Sequence, residues 1–433
     1  MKSSKKLFNK NYFLLWQGQF VSKIGSQLFF IAVMLWIKEI TGSASFMGLI
    51  GAISGFIVIL LGPIAGTFAD RHSRKLIIVV TDLLNGIAVL ILSVIAMIVK
   101  EDTNLILLTI FIVSVINAIF SSFFRPAISA SIPELVPKSK LTGANSLSQF
   151  STQISGLLGL GVGGILFTIL GAPILFLING ISYIFSAISE SFMHIPQELP
   201  EKKDEWNEKF AEFKKDIVEG FKYIWKKDGL RELVFISAFL NFFTQPIILL
   251  LPFFVEDYLK VGNEWYGFLM SIYGLGTLIG YTSAGILRLK GRVRSIVLIL
   301  FMILQPGAYG VLAIITKPQL ALLLAAIPGA MNGFIMVNIA TLLQITTPSK
   351  IRGRVFGLLT TLVGSLAPLG MGLAGIVADL ANHNIPLIYL SSSGIMVFLS
   401  SVTTMRKSVR QFLAFEYSQP KVNETSIKQV VET

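Results

Sequence analysis

The chain has no cysteine and only three histidines, His72, His194 and His383, among 433 residues. Disulfides, thiol chemistry and Cys-built metal sites are excluded. The histidines fall in separate loops, so a His-built metal centre is not expected either. Charge is scarce. Asp, Glu, Lys and Arg make up 14% of the residues, where a soluble domain carries about 25%. No Gly-Lys dipeptide occurs. A Walker-type phosphate loop is therefore absent, and ATP is not expected as the direct drive. There is no His-Glu-x-x-His and no clustered catalytic set, so an enzyme is not expected. The basic residues are scattered over short segments, which argues against nucleic-acid binding.

What fills the chain is apolar. Hydrophobic residues make up 53% and the mean hydropathy is +0.73. The excess runs through nearly the whole length in stretches of about 18 to 25 residues, each long enough to cross a ~30 Å hydrocarbon core as a helix. The runs are continuous rather than alternating, which excludes barrel strands. Twelve spans are predicted, near 11–36, 45–68, 75–98, 105–129, 143–168, 173–193, 231–255, 265–287, 296–315, 319–343, 355–380 and 386–405. The fold class is thus an all-α membrane protein of twelve transmembrane helices in two six-helix bundles. The expected division is 1–193 and 231–405 for the bundles, 194–230 for a polar linker and 406–433 for a tail. In the linker, Trp206, Phe210, Phe213, Ile217, Phe221 and Ile224 recur every three to four residues, which predicts an amphipathic helix on the membrane surface.

Orientation follows from the Lys and Arg placement. With the N-terminus inside, 31 of the 36 basic residues fall on the inner side. Lys38, Lys100, Lys260 and Lys317 fall outside, and Lys23 lies within a span. Both termini are therefore expected in the cytoplasm, and the net charge of +12 suits contact with anionic lipids of the inner leaflet. The first run is too long for a cleaved signal peptide and lacks a cleavage site.

The halves repeat one another. Gly66-Thr-Phe-Ala-Asp70-Arg71-His-Ser-Arg74-Lys75 stands between spans 2 and 3, and Gly285-Ile-Leu-Arg288-Leu-Lys290-Gly-Arg292-Val-Arg294 between spans 8 and 9. Val136-Pro137 after span 4 is matched by Thr347-Pro348 after span 10. Parallel six-helix repeats of this kind are the architecture of the major facilitator superfamily. Gly66-x-x-x-Asp70-Arg71-x-x-Arg74-Lys75 resembles that superfamily's signature between spans 2 and 3. A closer likeness is to its bacterial macrolide-efflux-type branch. It rests on Trp16-Gln17-Gly18-Gln19-x-x-Ser22-x-x-Gly25, Thr41-Gly42-Ser43-Ala44, Pro126-Ala127, Pro133-Glu134-Leu135-Val136-Pro137 and Gly353-Arg354-Val355-Phe356. The resemblance implies secondary active transport with a small-molecule substrate, no bound cofactor, a proton or other ion gradient as drive, and export of drug-like molecules. A monomer in a bacterial inner membrane is expected. That branch includes relatives that move siderophores or lysolipids. Two positions depart from the proton-coupled exporters. Asn117 stands where many carry an Arg in span 4, and Ser155-x-x-x-Gly159-Leu160-x-x-Gly163-Gly164 lacks the usual proline of span 5.

Several residues are candidates for function. Asp70, Arg71, Arg74 and Lys75 can hold one conformation of a rocking pair of bundles, with the carboxylate at a helix N-terminus. Asp82 in span 3 and Lys23 in span 1 are intramembrane charges and candidates for coupling. Gln19, Lys23 and Gln27 share one helix face. With Asn117, Asn241, Gln245, Asn332 and Asn338 they are candidate cavity-lining groups. Lys23 either points into the cavity or pairs with Asp82. Gly156, Gly159, Gly163 and Gly164 are expected to allow close helix packing.

Overall fold

The computed structural model describes residues 7–99, 102–197, 206–348 and 351–416. The described residues form helices and no strand, as they must where no water is available to hydrogen-bond the backbone. The helix starts follow local side-chain chemistry. Asn9, Ser43, Ser73, Asp102 and Asn384 each accept a backbone N–H from the first turn they precede, and so satisfy donors that a helix leaves free. They begin α1 (Lys10–Thr41), α2 (Ala44–Arg71), α3 (Arg74–Ile98), α4 (Thr103–Leu135) and α14 (Ile385–Met405). Gly42, at φ 63°, ends α1 in the left-handed region that suits glycine.

The segment Leu141–Ser191 is continuous helix except at Gly171, where φ is 74° and ψ 167°, with Pro173 just beyond. Trp16 Nε1 donates to Ser151 Oγ at 2.7 Å, and Gln17 Nε2 donates to Ser189 Oγ at 2.9 Å. Adjacent residues of α1 thus touch two positions, Ser151 and Ser189, that would lie about 57 Å apart if the segment were straight. The segment is a hairpin of two limbs, α5 (141–170) and α6 (172–191). Beyond it lie α7 (Trp206–Lys226), α8 (Leu230–Leu249), α9 (Glu264–Leu287), α10 (Gly291–Leu312), α11 (Pro318–Thr346), α12 (Arg352–Gly364), α13 (Ala367–Leu380) and α15 (Lys407–Leu413). Ten described helical segments are long and apolar enough to cross a membrane, with 143–191 counted once and α12 and α13 taken together. The hairpin and the 24-residue α9, which is long enough but richer in Tyr and Gly, make the arrangement consistent with twelve crossings.

Three features differ from the sequence expectation. Helix α4 continues to Leu135, through Pro126 and Pro133, beyond the expected end of span 4 at residue 129. The linker helix α7 is, in addition, docked on the second half by one side. Ile224 is buried, Tyr223 OH donates to Thr346 O at 2.6 Å, and Arg354 pairs with Glu219 at 2.6 Å, while Ile217, Phe221 and Trp225 stay exposed. Trp206, Phe210 and Phe213 have no described side chains. The start of the tail folds back. Val409, Phe412 and Leu413 of α15 are buried, and Arg294 donates to Leu413 O and Phe415 O. Linker residues 198–205 and tail residues 417–433 lie outside the described residues. Apolar side chains such as Leu76, Ile87, Ile91, Val94 and Ile98 stand exposed along one side of α3, the surface a lipid phase would cover.

Candidate functional site

The two halves meet along α2 with α13 and along α5 with α9. The end that carries the basic loops is taken as the inner end. At the outer part of α2, a Cβ on Gly48 would lie 2.6 Å from Met371 O and 3.2 Å from Gly375 Cα, and one on Gly55 would run into Pro368. Glycine is needed there for the backbones to approach. Toward the inner end the same helix keeps to its own half, with Ala69 buried and Phe68 edge-on to Phe123 of α4 at 5.4 Å, and its glycine face meets no neighbour. Cβ atoms on Gly62 and Gly66 would meet nothing, nor would they on Gly353, Gly357 and Gly364 of α12. The α5–α9 contact likewise runs from Gly164 against Gly267 to Gln153 Nε2 on Tyr281 OH at 3.1 Å. The halves are packed together at their outer ends, and along the α2–α13 side α2 and α12 stand apart toward the inner end.

Two polar latches cross the outer end. Lys38, whose side chain is 7% exposed, pairs with Glu256 and, at 3.2 Å, with Asp257. Asp379 of α13 accepts from Ser43 Oγ at 2.9 Å, Ala44 N at 2.9 Å and Ser45 N at 3.0 Å, and pairs with His383 at 2.8 Å. A carboxylate of one half thus caps the N-terminus of a helix in the other. The inner signature is engaged differently. Asp70 lies in the last turn of its own helix, with its side chain 62% exposed, and pairs with Arg74 at 3.2 Å. Arg74 also holds Glu134 and donates to Ala130 O at 3.0 Å, both on α4. Ser73, not Asp70, caps α3. Arg71 and Lys75 are half-buried beside them.

Gln19, Lys23, Ser148, Ser151, Tyr12 and Trp16 line a water-sized cleft between α1, α4 and α5. Lys23 is half-buried and donates to Thr152 Oγ1 at 2.9 Å, with the Arg125 charge acting on it. It does not pair with Asp82. Gln27 packs against Gly159. Asn117 is half-buried, and both its amide atoms lack a partner among the described residues. In the second half, Asn241 and Gln245 donate back to their own helix, at 3.0 Å to Ser237 O and 3.2 Å to Asn241 O, and Asn338 does the same at 3.0 Å to Phe334 O. Asn332 Nδ2 donates to Tyr273 OH at 2.6 Å across α11 and α9. Gly159 and Gly163 pack on α1, and Gly164 packs on Asn263 and Gly267. Gly156 does not pack: a Cβ there meets open space. It falls between the face of 155, 159 and 163 that meets α1 and the face of 153, 157, 161 and 164 that meets α9.

Asp82 is 2% exposed and Glu190 0%. The two carboxyl groups face one another with Ser186 between them, and Gln19 Nε2 donates to Glu190 Oε1 at 2.8 Å. Sequence reading singled out Asp82 and passed over Glu190, which lies three residues from the expected end of span 6. A stripe of Asn179, Ser182, Ser186 and Glu190, at spacings of three and four, was the available signal. Lys38, Glu256, Asp257 and Asp379 were equally inconspicuous, because each lies at a helix end where charge is ordinary.

Residues 15–371 match the family model described as Major Facilitator Superfamily. The chain is 25% identical over 408 residues to macrolide efflux protein A of Streptococcus pyogenes, covering 92% of this chain and 96% of that protein. It is 24% identical over 376 residues to the multidrug efflux pump Tap of Mycolicibacterium fortuitum, covering 85% and 89%. Among solved structures, a bacterial homolog of the human lysosomal transporter Spinster, in an inward-facing and unoccupied conformation, shares the fold. Its TM-score is 0.71 at 16% identity, covering 94% of this chain and 98% of that one.

Proposed function

This chain belongs to the Major Facilitator Superfamily, and from that premise we propose that it exports small organic molecules, drug-like or amphiphilic, by alternating access driven by an ion gradient. It is a multi-pass membrane transporter and not an enzyme. The observation that carries the alternating-access reading is the asymmetry of the contact between halves. Glycine-tight packing and two charged latches hold the outer ends, while α2 and α12 stand apart at their inner ends. Packed interfaces of this kind have two arrangements rather than a continuum, and the exposed Asp70 is placed to engage the second half when the inner ends close. The names of the efflux relatives support export. The half-buried Lys23, with Arg125 beside it, favours a cargo that offers an anionic or strongly accepting group.

In this reading the units are 1–193 and 231–405, the termini are cytoplasmic, and the protein is a monomer among the lipids of a bacterial inner membrane. The test is a compound panel run with and without expression, reading susceptibility and intracellular accumulation. Lower accumulation of at least one class supports export. Unchanged accumulation across the panel, with growth dependent on an added nutrient or siderophore, overturns it in favour of uptake. Lys23→Met is expected to change which compounds are transported, and wild-type behaviour across the panel would remove Lys23 from cargo selection.

A further inference from the structure

We propose that Asp82 and Glu190 share one exchangeable proton and form the coupling site of this transporter, joined through Gln19 to the cleft that holds Lys23. The proposal rests on the reading of the chain as an ion-driven transporter and names the ion and its place. Three helices build the site: α3 supplies Asp82, α6 supplies Ser186 and Glu190, and α1 supplies Gln19. The polar groups there are short of hydrogen. Gln19 supplies one N–H to Glu190 Oε1, and Ser186 has one O–H for two carboxyl groups. Asp82 Oδ2, Glu190 Oε2, Asn85 Oδ1 and Ser186 Oγ are all shut off from solvent and lack a bond of normal length among the described residues. Buried polar atoms are nearly always bonded, so four orphans in one region mark a missing partner. A proton held between the carboxyl groups supplies a donor and removes one of two adjacent negative charges.

The surrounding groups leave that task to a proton. On α6, Tyr183 faces Asp82 and bonds to Ser26 of α1 at 2.9 Å. On α4, Arg125 acts on Lys23 and Tyr183. Lys23 of α1 is committed to Thr152 of α5. At the inner end of α3, Arg74 is held by Asp70 and Glu134. No cluster of three or more acidic, His or Cys residues that could hold a metal occurs among the described residues.

The step is a simple transfer: hydronium gives its proton to the carboxylate pair and leaves as water, and the reverse releases it. Gln19 connects the events, because it lines the cleft on one side and bonds to Glu190 on the other. A cargo that pulls Gln19 toward itself removes a donor from Glu190 and so changes how firmly the proton is held.

Infrared difference spectroscopy on the purified full-length protein in lipid nanodiscs tests this without any cargo. The wild type is expected to show a protonated carboxyl band that titrates within the pH range where the protein stays folded. Asp82→Asn and Glu190→Gln should each shift the frequency and midpoint of that band, because one buried carboxyl remains. The double variant should abolish it, and Gln19→Ala should shift its midpoint. Replacing choline with sodium should leave it unmoved. A band that persists in the double variant, that is unmoved by either single variant, or that never titrates, overturns the site. A midpoint that follows sodium concentration overturns the proton in favour of a metal cation. Tryptophan fluorescence and elution profile of each variant confirm folding. Failure of the compound panel alone would strike the export reading and leave this spectroscopic result standing.

Discussion

Replacing Asp379 with Asn keeps the shape of the outer latch but removes its charge. Asp379 accepts two backbone N–H groups at the start of α2, and a Ser43 hydroxyl besides. An amide keeps one accepting oxygen and turns the other position into a donor, which cannot face an N–H. The loss therefore includes the charge–dipole attraction, up to about 2 kcal/mol in partly buried sites, and at least one charge-assisted hydrogen bond of about 1.5–3 kcal/mol. The Asp379 side chain is 30% exposed, so water recovers part of both. A net cost of about 2 kcal/mol is reasonable, and it falls only on the outer-closed state, because the contact joins the two halves. At 1.4 kcal/mol per tenfold this is roughly a 30-fold shift. A closed-to-open ratio of about 100 to 1 would fall to about 3 to 1. With no native cysteine, spin labels at Glu39→Cys and Asn382→Cys report the outer gap alone; both positions are exposed and lie on opposite halves. Pulsed electron spin resonance should show a new long-distance population of about a quarter of the molecules. An unchanged distance distribution in Asp379→Asn would refute the latch.

Lys38→Met should open the same gap, since the lysine side chain is buried while Glu256 and Asp257 are half-exposed and tolerate its loss. Combined with Asp379→Asn, the two effects should multiply if both latches guard one equilibrium, and a pair no larger than either alone would refute that. Gly48→Val should prevent outer closure, because its side chain would collide with Met371 O and Gly375; an unaltered short-distance population would refute the packing argument. For topology, cysteine at Asn104 or Asn384 should react with an impermeant reagent from outside, and cysteine at Ser139 only after permeabilisation. Labelling of Ser139 from outside would break the twelve-span arrangement.

Composition and one-dimensional order were enough for an all-helical, multi-pass membrane fold. It depends on a quantity that adds along the chain, apolar length against bilayer thickness. The turn between α5 and α6 was legible in the same way, because Gly171-Ala172-Pro173 interrupts a run too long for one crossing. The function of a charge at a helix end was not legible, because it depends on what lies opposite. Lys38 reads as an ordinary outer lysine until α1 is set against 254–258, and Asp379 as an ordinary terminal acid until α13 meets the start of α2. Glu190 has the look of an interfacial residue until α3 and α6 close over it and leave it no water. Gly156 shares its residue type and helix with Gly159 and Gly163, yet only the positions of α1 and α9 decide that it faces neither. Burial and pairing are relations between helices far apart in the chain. Only the tertiary fold, which settles those distances, separated the lipid face, the latches and the carboxyl pair.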